Sequence, residues 1–334
     1  MTAKELHELN IMACKVRMGI IESTNSAKCG HPGGSMSAAE MFTYLYFKEL
    51  NVDPKNPKWE DRDRFVLSKG HTAPGLYAAL AHRGFFPVED LLTLRHTGSY
   101  LQGHPNMHSV PGVDMSTGSL GQGISAACGM ALGLKHQGKP QRVYTLLGDG
   151  EIQEGQVWEA AMFASHYKLD NLCVIVDNNG LQIDGDVAKV MSPYPIDEKF
   201  KAFGFHVAVI DGHDFEAIEA ALAEAKTVKG QPSAIIMKTI KGKDVSFMEN
   251  NAGWHGKATN PAEFEQAMAE LKAKLKELEG MRYGRCKETC HPGRLRQSLG
   301  RAGRKIRQYR GSGCRLGRRH QDLRFPEGIS RPPF

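Results

Sequence analysis

The sequence predicts an α/β protein in which a parallel sheet is covered by helices on both faces. Short apolar runs rich in β-branched residues, such as 143–147 (VYTLL) and 172–177 (LCVIVD), alternate with longer segments of helical apolar spacing. Continuous apolar runs are typical of strands that are buried on both faces. Strands that alternate with helices along the chain favour a parallel sheet.

The first third of the chain is predicted to be mainly helical. Residues 4–27 have apolar side chains near helical spacing. We expect a second helix over residues 37–50, with Ser37 as its N-cap. A first strand is predicted over residues 64–68, and a further helix over residues 87–97.

The rest of the chain alternates between strands and helices. Residues 98–117 contain several Gly, Pro and His residues and are predicted to form a loop that is long enough to suggest a function. Residues 121–136 form a helix of small residues that can pack closely on the sheet, and residues 154–168 form a helix between the two strands named above. The remaining predicted elements are strands over 205–210 and 233–240 and an amphipathic helix over 261–279.

Two polar motifs follow the two most apolar strands. Gly148-Asp149-Gly150 comes after the first strand, and Asn179 comes just after the second. Ligands bind at the carboxyl ends of parallel strands, which are about 5 Å apart, so Asp149 and Asn179 are placed to share one ion. Oxygen donors suit Mg²⁺ or Ca²⁺. Each motif alone is typical of a turn, but their combination at this spacing favours a metal site.

The stretch GDGEIQEGQVWEAAMFASHYKLDNLCVIVDNNGLQIDG resembles the thiamine diphosphate motif of transketolases. The similarity covers most of residues 1–280 and includes CGHPGGSMSAAE, SKGHTAPGLYAAL, LQGHPN, STGSLGQGISAACGMALG and NNAGWHGKA. It matches the amino-terminal half of that enzyme, and most closely the separate amino-terminal subunit of two-chain forms. The resemblance implies the thiamine diphosphate-binding fold, with thiamine diphosphate and Mg²⁺ (or Ca²⁺) as cofactors.

The resemblance also implies roles for individual residues. His71 and His255 would approach the diphosphate and the reacting centre, and His31 and His104 would meet the oxygens of the sugar. The Leu181 carbonyl would complete the metal site. Further matching positions are the cofactor wall Gly118, Ser119 and Leu120, where Ser119 replaces the commoner proline, the cofactor-facing Gly148, Gly150 and Ile240, and the interface carboxylates Glu154 and Glu159. Other histidines are interpreted as surface or packing residues: His82, His96, His108, His136, His166, His206 and His213.

The resemblance implies the amino-terminal subunit of a transketolase. Such an enzyme moves a two-carbon ketol unit from xylulose 5-phosphate to ribose 5-phosphate or erythrose 4-phosphate. In this family the glutamate that activates the cofactor comes from the second half. We therefore expect a carboxy-terminal partner subunit, two copies of each chain, and no activity from this chain alone.

Other functions are less well supported by the motifs. A thiamine-binding subunit of a 2-oxoacid dehydrogenase and a deoxyxylulose-phosphate-synthase-like enzyme are the alternatives within the enzyme class. The four-histidine set and the WHGKA segment favour transketolase over the dehydrogenase, and the sequence context of His71 and His104 favours it over the synthase. A scaffold without catalysis is disfavoured because the metal motif and the histidines are intact.

Composition favours a cytoplasmic protein without a membrane partner. No run of eighteen apolar residues is present, so no transmembrane span is expected. The first residues, MTAKELHELN, are unlike a signal peptide. The chain has 7 cysteines without paired metal spacing, which indicates reduced thiols.

Residues 281–334 differ in composition from residues 1–280. They hold 15 of the 43 Lys and Arg residues but 3 of the 37 Asp and Glu residues, and their few aliphatic residues predict disorder. A basic segment can indicate nucleic-acid binding, but we expect no nucleic-acid partner. Compatible codons read one nucleotide later permit a stop, a start and a product beginning MADVKKPATRDAYGKALAELG. That product resembles the opening of the second half of transketolase, so we expect out-of-frame translation of a partner gene, which sequencing the locus tests.

Overall fold

A computed structural model describes residues 1–281. Its strands are β1 (Arg64–Leu67), β2 (Val143–Gly148), β3 (Leu172–Asn178), β4 (Leu181–Gln182), β5 (Gly185–Asp186), β6 (His206–Asp211) and β7 (Ser233–Lys238). Five of them form one sheet in the order β1-β2-β3-β7-β6, and every neighbouring pair is parallel. The short strands β4 and β5 pair with each other as an antiparallel hairpin. The predicted parallel sheet is confirmed.

The helices occupy both sides of this sheet. They are α1 (Ala3–Ala27), α2 (Pro32–Ser37), α3 (Ala39–Tyr44), α4 (Ala73–Arg83), α5 (Gln122–His136), α6 (Gly155–His166), α7 (Val187–Val190), α8 (Ile196–Ala202), α9 (Phe215–Thr227) and α10 (Pro261–Gly280). Short 3₁₀ turns cover Gly70–Thr72, Val88–Thr93, Glu151–Gln153 and Ala252–Trp254, and a π-helical turn covers Leu45–Glu49. None of the helices in residues 1–281 is long and apolar enough to cross a membrane.

Two apolar cores form because successive side chains of a strand point to opposite faces. In β2, Tyr144 and Leu146 join the core beneath α1, α3, α4, α9 and α10, whereas Val143 and Leu147 join the core beneath α5, α6 and α8. The other central strands divide in the same way. The prediction that helices cover both faces is therefore confirmed.

The helix predicted over residues 37–50 is confirmed over residues 39–49, as α3 and the π-helical turn that follows it, but its predicted start is wrong. Pro32 begins α2, because proline is favoured in the first turn of a helix. Ser37 ends this helix instead of capping the next, and its hydroxyl donates to Asp177 Oδ2 at 2.6 Å. Ala38, with φ −103° and ψ 9°, separates α2 from α3. Gly33 of α2 allows close packing, since a Cβ there would lie 2.8 Å from the Trp254 carbonyl oxygen.

The helix predicted over residues 87–97 is shorter than expected. Only Val88–Thr93 is helical, as a 3₁₀ turn. Leu94 adopts an extended ψ of 125°, and Arg95 has a φ of +60°, so the turn cannot continue. The strand predicted over 233–240 also ends early, at Lys238. The tail that was predicted to be disordered spans residues 281–334, of which 282–334 lie outside the described residues. Its disorder and the division of the chain near residue 280 stay predictions.

The start of α5 packs unusually close to the end of β1. A Cβ on Gly123 would lie 2.6 Å from the Ser68 Cα, which is backbone that cannot move aside. We expect Gly123→Ala to lower the free energy of unfolding by about 1–3 kcal/mol through this overpacking. Gly129, on the same helix, has nothing within 4 Å of its would-be Cβ. Gly129→Ala is the control and should stabilise by about 0.5–1 kcal/mol. Urea unfolding of both variants checks this, and equal effects would contradict it.

Candidate cofactor and substrate site

A cavity of about 400 Å³ opens at the carboxyl edge of the sheet. Segments that follow β1, β2, β3 and β7 contribute to it, as expected for an open α/β sheet. The cavity brings together most of the site residues predicted from the sequence. Those that line it are His31, His71, Gly118, Leu120, Gly148, Asp149, Gly150, Glu154, Asn179, Leu181 and His255.

Asp149 is a buried carboxylate directly after β2, with 2% of its surface exposed. Its Oδ1 accepts a hydrogen bond from Gly150 N at 2.9 Å, and its Oδ2 accepts from Gly180 N at 2.6 Å and from Asn178 Nδ2 at 3.0 Å. Burial and the nearby Asp177 carboxylate raise the pKa of Asp149 to about 6. Within residues 1–281 no basic side chain forms an ion pair with Asp149, so its charge is buried without a directly paired cation.

The candidate oxygen ligands at and around Asp149 fit a small, hard cation. Asn179 and Leu181 line the same cavity. Asn179 Nδ2 donates to Asp177 Oδ2 at 3.0 Å, which points the amide oxygen away from that carboxylate, and Oδ1 accepts from Leu181 N at 3.1 Å. A carboxylate, an amide oxygen and a backbone carbonyl are ligands that Mg²⁺ and Ca²⁺ accept.

A buried ion pair beside these donors was not predicted from the sequence. Lys69 follows β1 with 2% exposure, and its Nζ donates to Asp177 Oδ2 at 2.5 Å. Asp177 also accepts from Ser37 Oγ at 2.6 Å and from Thr239 Oγ1. The Asp177 carboxylate therefore joins α2 to the ends of β1, β3 and β7. Through Asn179 it also orients a candidate metal ligand.

A second lysine, Lys241, lines the cavity and was also missed. Its Nζ lies 3.4 Å from the Leu181 carbonyl oxygen and 3.2 Å from His255 Nδ1. Burial and the positive charge of Lys69 lower the pKa of Lys241 to about 8, so it is mainly protonated at pH 7. An ammonium group only donates, so His255 accepts through Nδ1 and carries its proton on Nε2. Lys241 is suited to bind an anionic group.

Three of the four predicted histidines form one cluster. Ring centroids are 5.1 Å apart for His31 and His71, 5.4 Å for His31 and His255, and 5.2 Å for His71 and His255. Burial lowers the pKa of all three, to about 4 for His31 and about 3 for His255. Within the described part of the chain, His31 Nδ1 is buried without a hydrogen-bond partner. Neutral rings that donate and accept fit a ligand with hydroxyl and carbonyl groups.

These lowered pKa values predict a loss of stability in acid. An unfolded histidine takes up a proton near pH 6.5, whereas His31 and His255 stay neutral in the fold down to about pH 4 and 3. Stability is therefore complete above pH 6.5 and falls as the pH decreases. At pH 5 each histidine should account for a loss of about 2 kcal/mol.

Urea unfolding at pH 7.5 and pH 5 measures this loss. The double variant His31→Gln/His255→Gln should lose about 3–4 kcal/mol less than the unmodified chain over this range. The exposed His136, changed to glutamine, is the control. If the double variant kept the full pH dependence, the two histidines would not be its source.

Glu151 was not predicted and holds three loops of the site together. It is 3% exposed. Its Oε1 accepts from Ser68 Oγ at 2.5 Å and from Gly121 N at 3.0 Å, and its Oε2 accepts from Gly148 N at 3.0 Å. A buried carboxylate with three donors fixes the relative positions of the segments that carry them.

Four predicted residues are not part of the lining of this cavity. His104 packs against Gly118, with Cδ2 3.2 Å from the place of a Cβ there, and burial lowers its pKa. Ser119 lines a neighbouring cavity of about 240 Å³. Ile240 is partly buried after β7, and Glu159 is exposed on α6. The functional roles of these four residues stay predictions.

His213, interpreted from the sequence as a surface or packing residue, makes two specific contacts. Its Nε2 accepts a hydrogen bond from Ile240 N at 2.9 Å. Its Nδ1 lies 3.0 Å from Glu40 Oε2. Neither contact has a local sequence signal, because Glu40 and Ile240 are far from residue 213 along the chain.

Comparison with known proteins assigns the family. Residues 9–278 match the family described as transketolase, thiamine diphosphate binding domain. The chain belongs to this family. The transketolase match agrees with the site, because the family's cofactor has an anionic diphosphate and the positively charged Lys241 lines the cavity.

Relatives within the transketolase family include separate subunits. The 6-deoxy-6-sulfo-D-fructose transketolase subunit SqwG of Clostridium sp. (strain MSTE9) is 46% identical over 265 residues, which is 79% of this chain and 95% of that protein. One of the subunits of the apulose-4-phosphate transketolase of Actinobacillus succinogenes is 41% identical over 266 residues, which is 79% of this chain and 96% of that protein. The predicted resemblance to amino-terminal transketolase subunits is confirmed.

Solved transketolase structures share the fold. The enzyme of Campylobacter jejuni matches with a TM-score of 0.75 and 32% identity, over 83% of this chain and 46% of that one. The enzyme of Leishmania mexicana matches with a TM-score of 0.73 and 31% identity, over 81% and 45%. The thiamine diphosphate-binding fold is thus confirmed. The chain spans less than half the length of these transketolases.

Proposed function

We propose that this chain is the amino-terminal subunit of a two-chain transketolase. Together with a carboxy-terminal subunit, in two copies of each, it transfers a two-carbon ketol unit from a ketose phosphate to an aldose phosphate. One observation carries the proposal: a buried carboxylate without an ion-pair partner in the described residues, two buried lysines and a cluster of neutral histidines share one cavity at the carboxyl edge of the sheet. The relatives named as subunits of transketolases support the partner.

The residues of the cavity divide into two groups by chemistry. Asp149, Asn179 and the Leu181 carbonyl would hold Mg²⁺ or Ca²⁺, and Lys241 would add positive charge where the diphosphate of the cofactor binds. Thiamine diphosphate, when bound, supplies the carbon nucleophile and the electron sink for cleavage of the ketose carbon–carbon bond. His71 and His255 lie at the end of the cavity where the anionic diphosphate would bind.

The remaining histidines suit the sugar. His31 has a buried Nδ1 without a partner in the described residues. It can therefore bond a hydroxyl or carbonyl oxygen without first giving up a protein contact. His104 lies behind Gly118 and is placed to extend this polar wall. Because burial keeps the rings neutral near pH 7, each ring can donate one hydrogen bond and accept another from the oxygens of the sugar.

The identity of the donor sugar is the most specific part of the proposal. We propose xylulose 5-phosphate as donor and ribose 5-phosphate or erythrose 4-phosphate as acceptor, in the pentose phosphate pathway. The relatives named for 6-deoxy-6-sulfo-D-fructose and for apulose 4-phosphate make these two donors the competing choice. The histidines of the cavity would bind the carbonyl end of the sugar, which all three donors share.

Co-expression with the carboxy-terminal subunit encoded next to this chain tests the proposal. The purified assembly is assayed for ketol transfer from each of the three donors to ribose 5-phosphate, with and without thiamine diphosphate and Mg²⁺. We expect activity that needs both cofactors and both chains. Full turnover by this chain alone would contradict the two-chain proposal, and transfer from none of the donors would contradict the transketolase activity.

We place the enzyme in the cytoplasm. The four cysteines within residues 1–281, Cys14, Cys29, Cys128 and Cys173, are free. Three of them are buried, and burial raises the pKa of the Cys128 and Cys173 thiols to about 12. Free thiols of this kind support a reducing compartment.

A further inference from the structure

A network of buried charges connects the outer helices to the segment after β7. Arg17 of α1 is 1% exposed and donates through Nη2 to both oxygens of Glu40 at 2.7 Å. Its Nη1 lies 3.1 Å from Asp244 Oδ2, and Lys274 Nζ lies 2.6 Å from Asp244 Oδ1. Buried ion pairs are expensive to desolvate and contribute little net stability. Stability alone is therefore a weak reason for the network.

The network ends on His213, whose tautomer follows from its two contacts. Ile240 N can only donate, so Nε2 of His213 is the acceptor at 2.9 Å and carries no proton. The proton of the neutral ring is then on Nδ1, which donates to Glu40 Oε2 at 3.0 Å. Glu40, paired with Arg17 on its other side, selects this tautomer. His213 is therefore presented to the backbone of Ile240 in one orientation.

The Ile240 amide lies beyond the end of the backbone pairing between β6 and β7. The backbone pairing of β6 with β7 ends at Asp211 and Lys238, followed by one bond from Gly212 N to the Lys238 carbonyl at 2.9 Å. Beyond this point the sheet offers Ile240 no acceptor within the described residues, and the His213 ring takes that place. The next residue, Lys241, sends its side chain into the cavity.

We propose that His213 is a positioning residue that fixes the Thr239–Ile240 peptide, one residue before Lys241, and so aims Lys241 at the diphosphate of the cofactor. The proposal rests on the proposed function for the identity of the anion. His213 itself does not touch the cavity. Its role is carried by one hydrogen bond, from Ile240 N to Nε2, and the contact to Glu40 serves to hold the ring.

Two substitutions separate the two contacts of the ring. His213→Gln places an amide oxygen near the position of Nε2 and so keeps an acceptor for Ile240. His213→Asn places an amide near Nδ1 and so keeps a donor for Glu40. We expect His213→Asn to speed deuterium exchange in the peptide covering residues 239–243 about fivefold or more. It should weaken thiamine diphosphate binding to the Mg²⁺-loaded two-chain assembly by a similar factor, with kcat unchanged at saturating cofactor.

His213→Gln should stay within about twofold of the unmodified assembly in both measurements. His206→Gln is the matched control, because His206 begins β6 and its ring pairs with the exposed Glu224, at 3.1 Å. Thermal unfolding of all variants identifies any that fail to fold. Equal impairment by the two His213 variants, or unchanged exchange in His213→Asn, would overturn the proposal.

The exchange measurement also separates this proposal from the proposed function. If the unmodified assembly bound no thiamine diphosphate while His213→Asn still exposed the Ile240 amide, the positioning of the peptide would stand and the cofactor assignment would fail. If cofactor bound tightly and equally to every variant, the cofactor assignment would stand and the positioning role would fail.

Discussion

Asp149→Ala is expected to abolish retention of thiamine diphosphate. Loss of a group that merely orients a metal ligand costs about 10–100-fold in metal affinity, and loss of a carboxylate ligand itself should exceed about 100-fold. Asp149 is the one candidate ligand with a full negative charge, and it is buried without an ion-pair partner in residues 1–281. Calorimetric titration of the two-chain assembly with cofactor and Mg²⁺ measures the effect.

A control and a conservative variant make the result specific. Asp61 is exposed, pairs with Lys139, and lies near the amino-terminal edge of the sheet, so Asp61→Ala should leave cofactor binding unchanged. Asp149→Asn should also fail to bind the cation. Undiminished cofactor binding by Asp149→Ala would reject the metal assignment.

The order of strands and helices was predictable because the burial of each element determines the spacing of its apolar residues along the sequence. The run Val143–Leu147 is apolar on both faces, and the structure buries both faces of β2. The start of the helix over residues 37–50 was mispredicted because a local signal pointed the wrong way. Ser37 suggested an N-cap, but its hydroxyl donates to the distant Asp177.

Site residues were predictable where a side chain that can bind a ligand comes directly after a predicted strand. Asp149 and Asn179 follow apolar strands, so topology alone placed them at one edge. Lys69, Asp177 and Lys241 could not be found in this way, because a single ionisable residue within or beside an apolar run has no spacing that distinguishes it. Their importance follows from burial and from partners distant in the chain, which only the folded structure provides.

Lys69→Met should destabilise the chain by about 3–5 kcal/mol, because it leaves the Asp177 carboxylate buried without its cation. Asp177 has no exposed surface, and Lys69 is its 2.5 Å ion-pair partner. The loss should extend to the site, because Asp177 also holds Asn179 at 3.0 Å. Urea unfolding at pH 7 gives the first effect, and Mg²⁺-dependent cofactor binding gives the second.

The double variant Lys69→Met/Asp177→Asn separates charge from shape. The asparagine oxygen can replace Oδ2, which accepts from Ser37 and Asn179, and its amide NH₂ can then donate to the Thr239 hydroxyl. No buried charge remains, so the double variant should recover part of the loss. If the two substitutions were instead additive, the pair would contribute only as two independent contacts.

The pH dependence of the unfolding free energy is an independent test of the charge effect at Lys69. Burial opposes ionisation of Asp177, but Lys69 lowers its pKa below the ordinary value, so the unmodified chain loses this stability only in strong acid. Without Lys69, burial should instead raise the pKa of Asp177, and protonation would relieve the buried charge. The gap in unfolding free energy between Lys69→Met and the unmodified chain should therefore narrow as the pH falls from 7 to 5. A gap that stayed constant would mean that lost packing around the lysine side chain, and not its charge, accounts for the destabilisation.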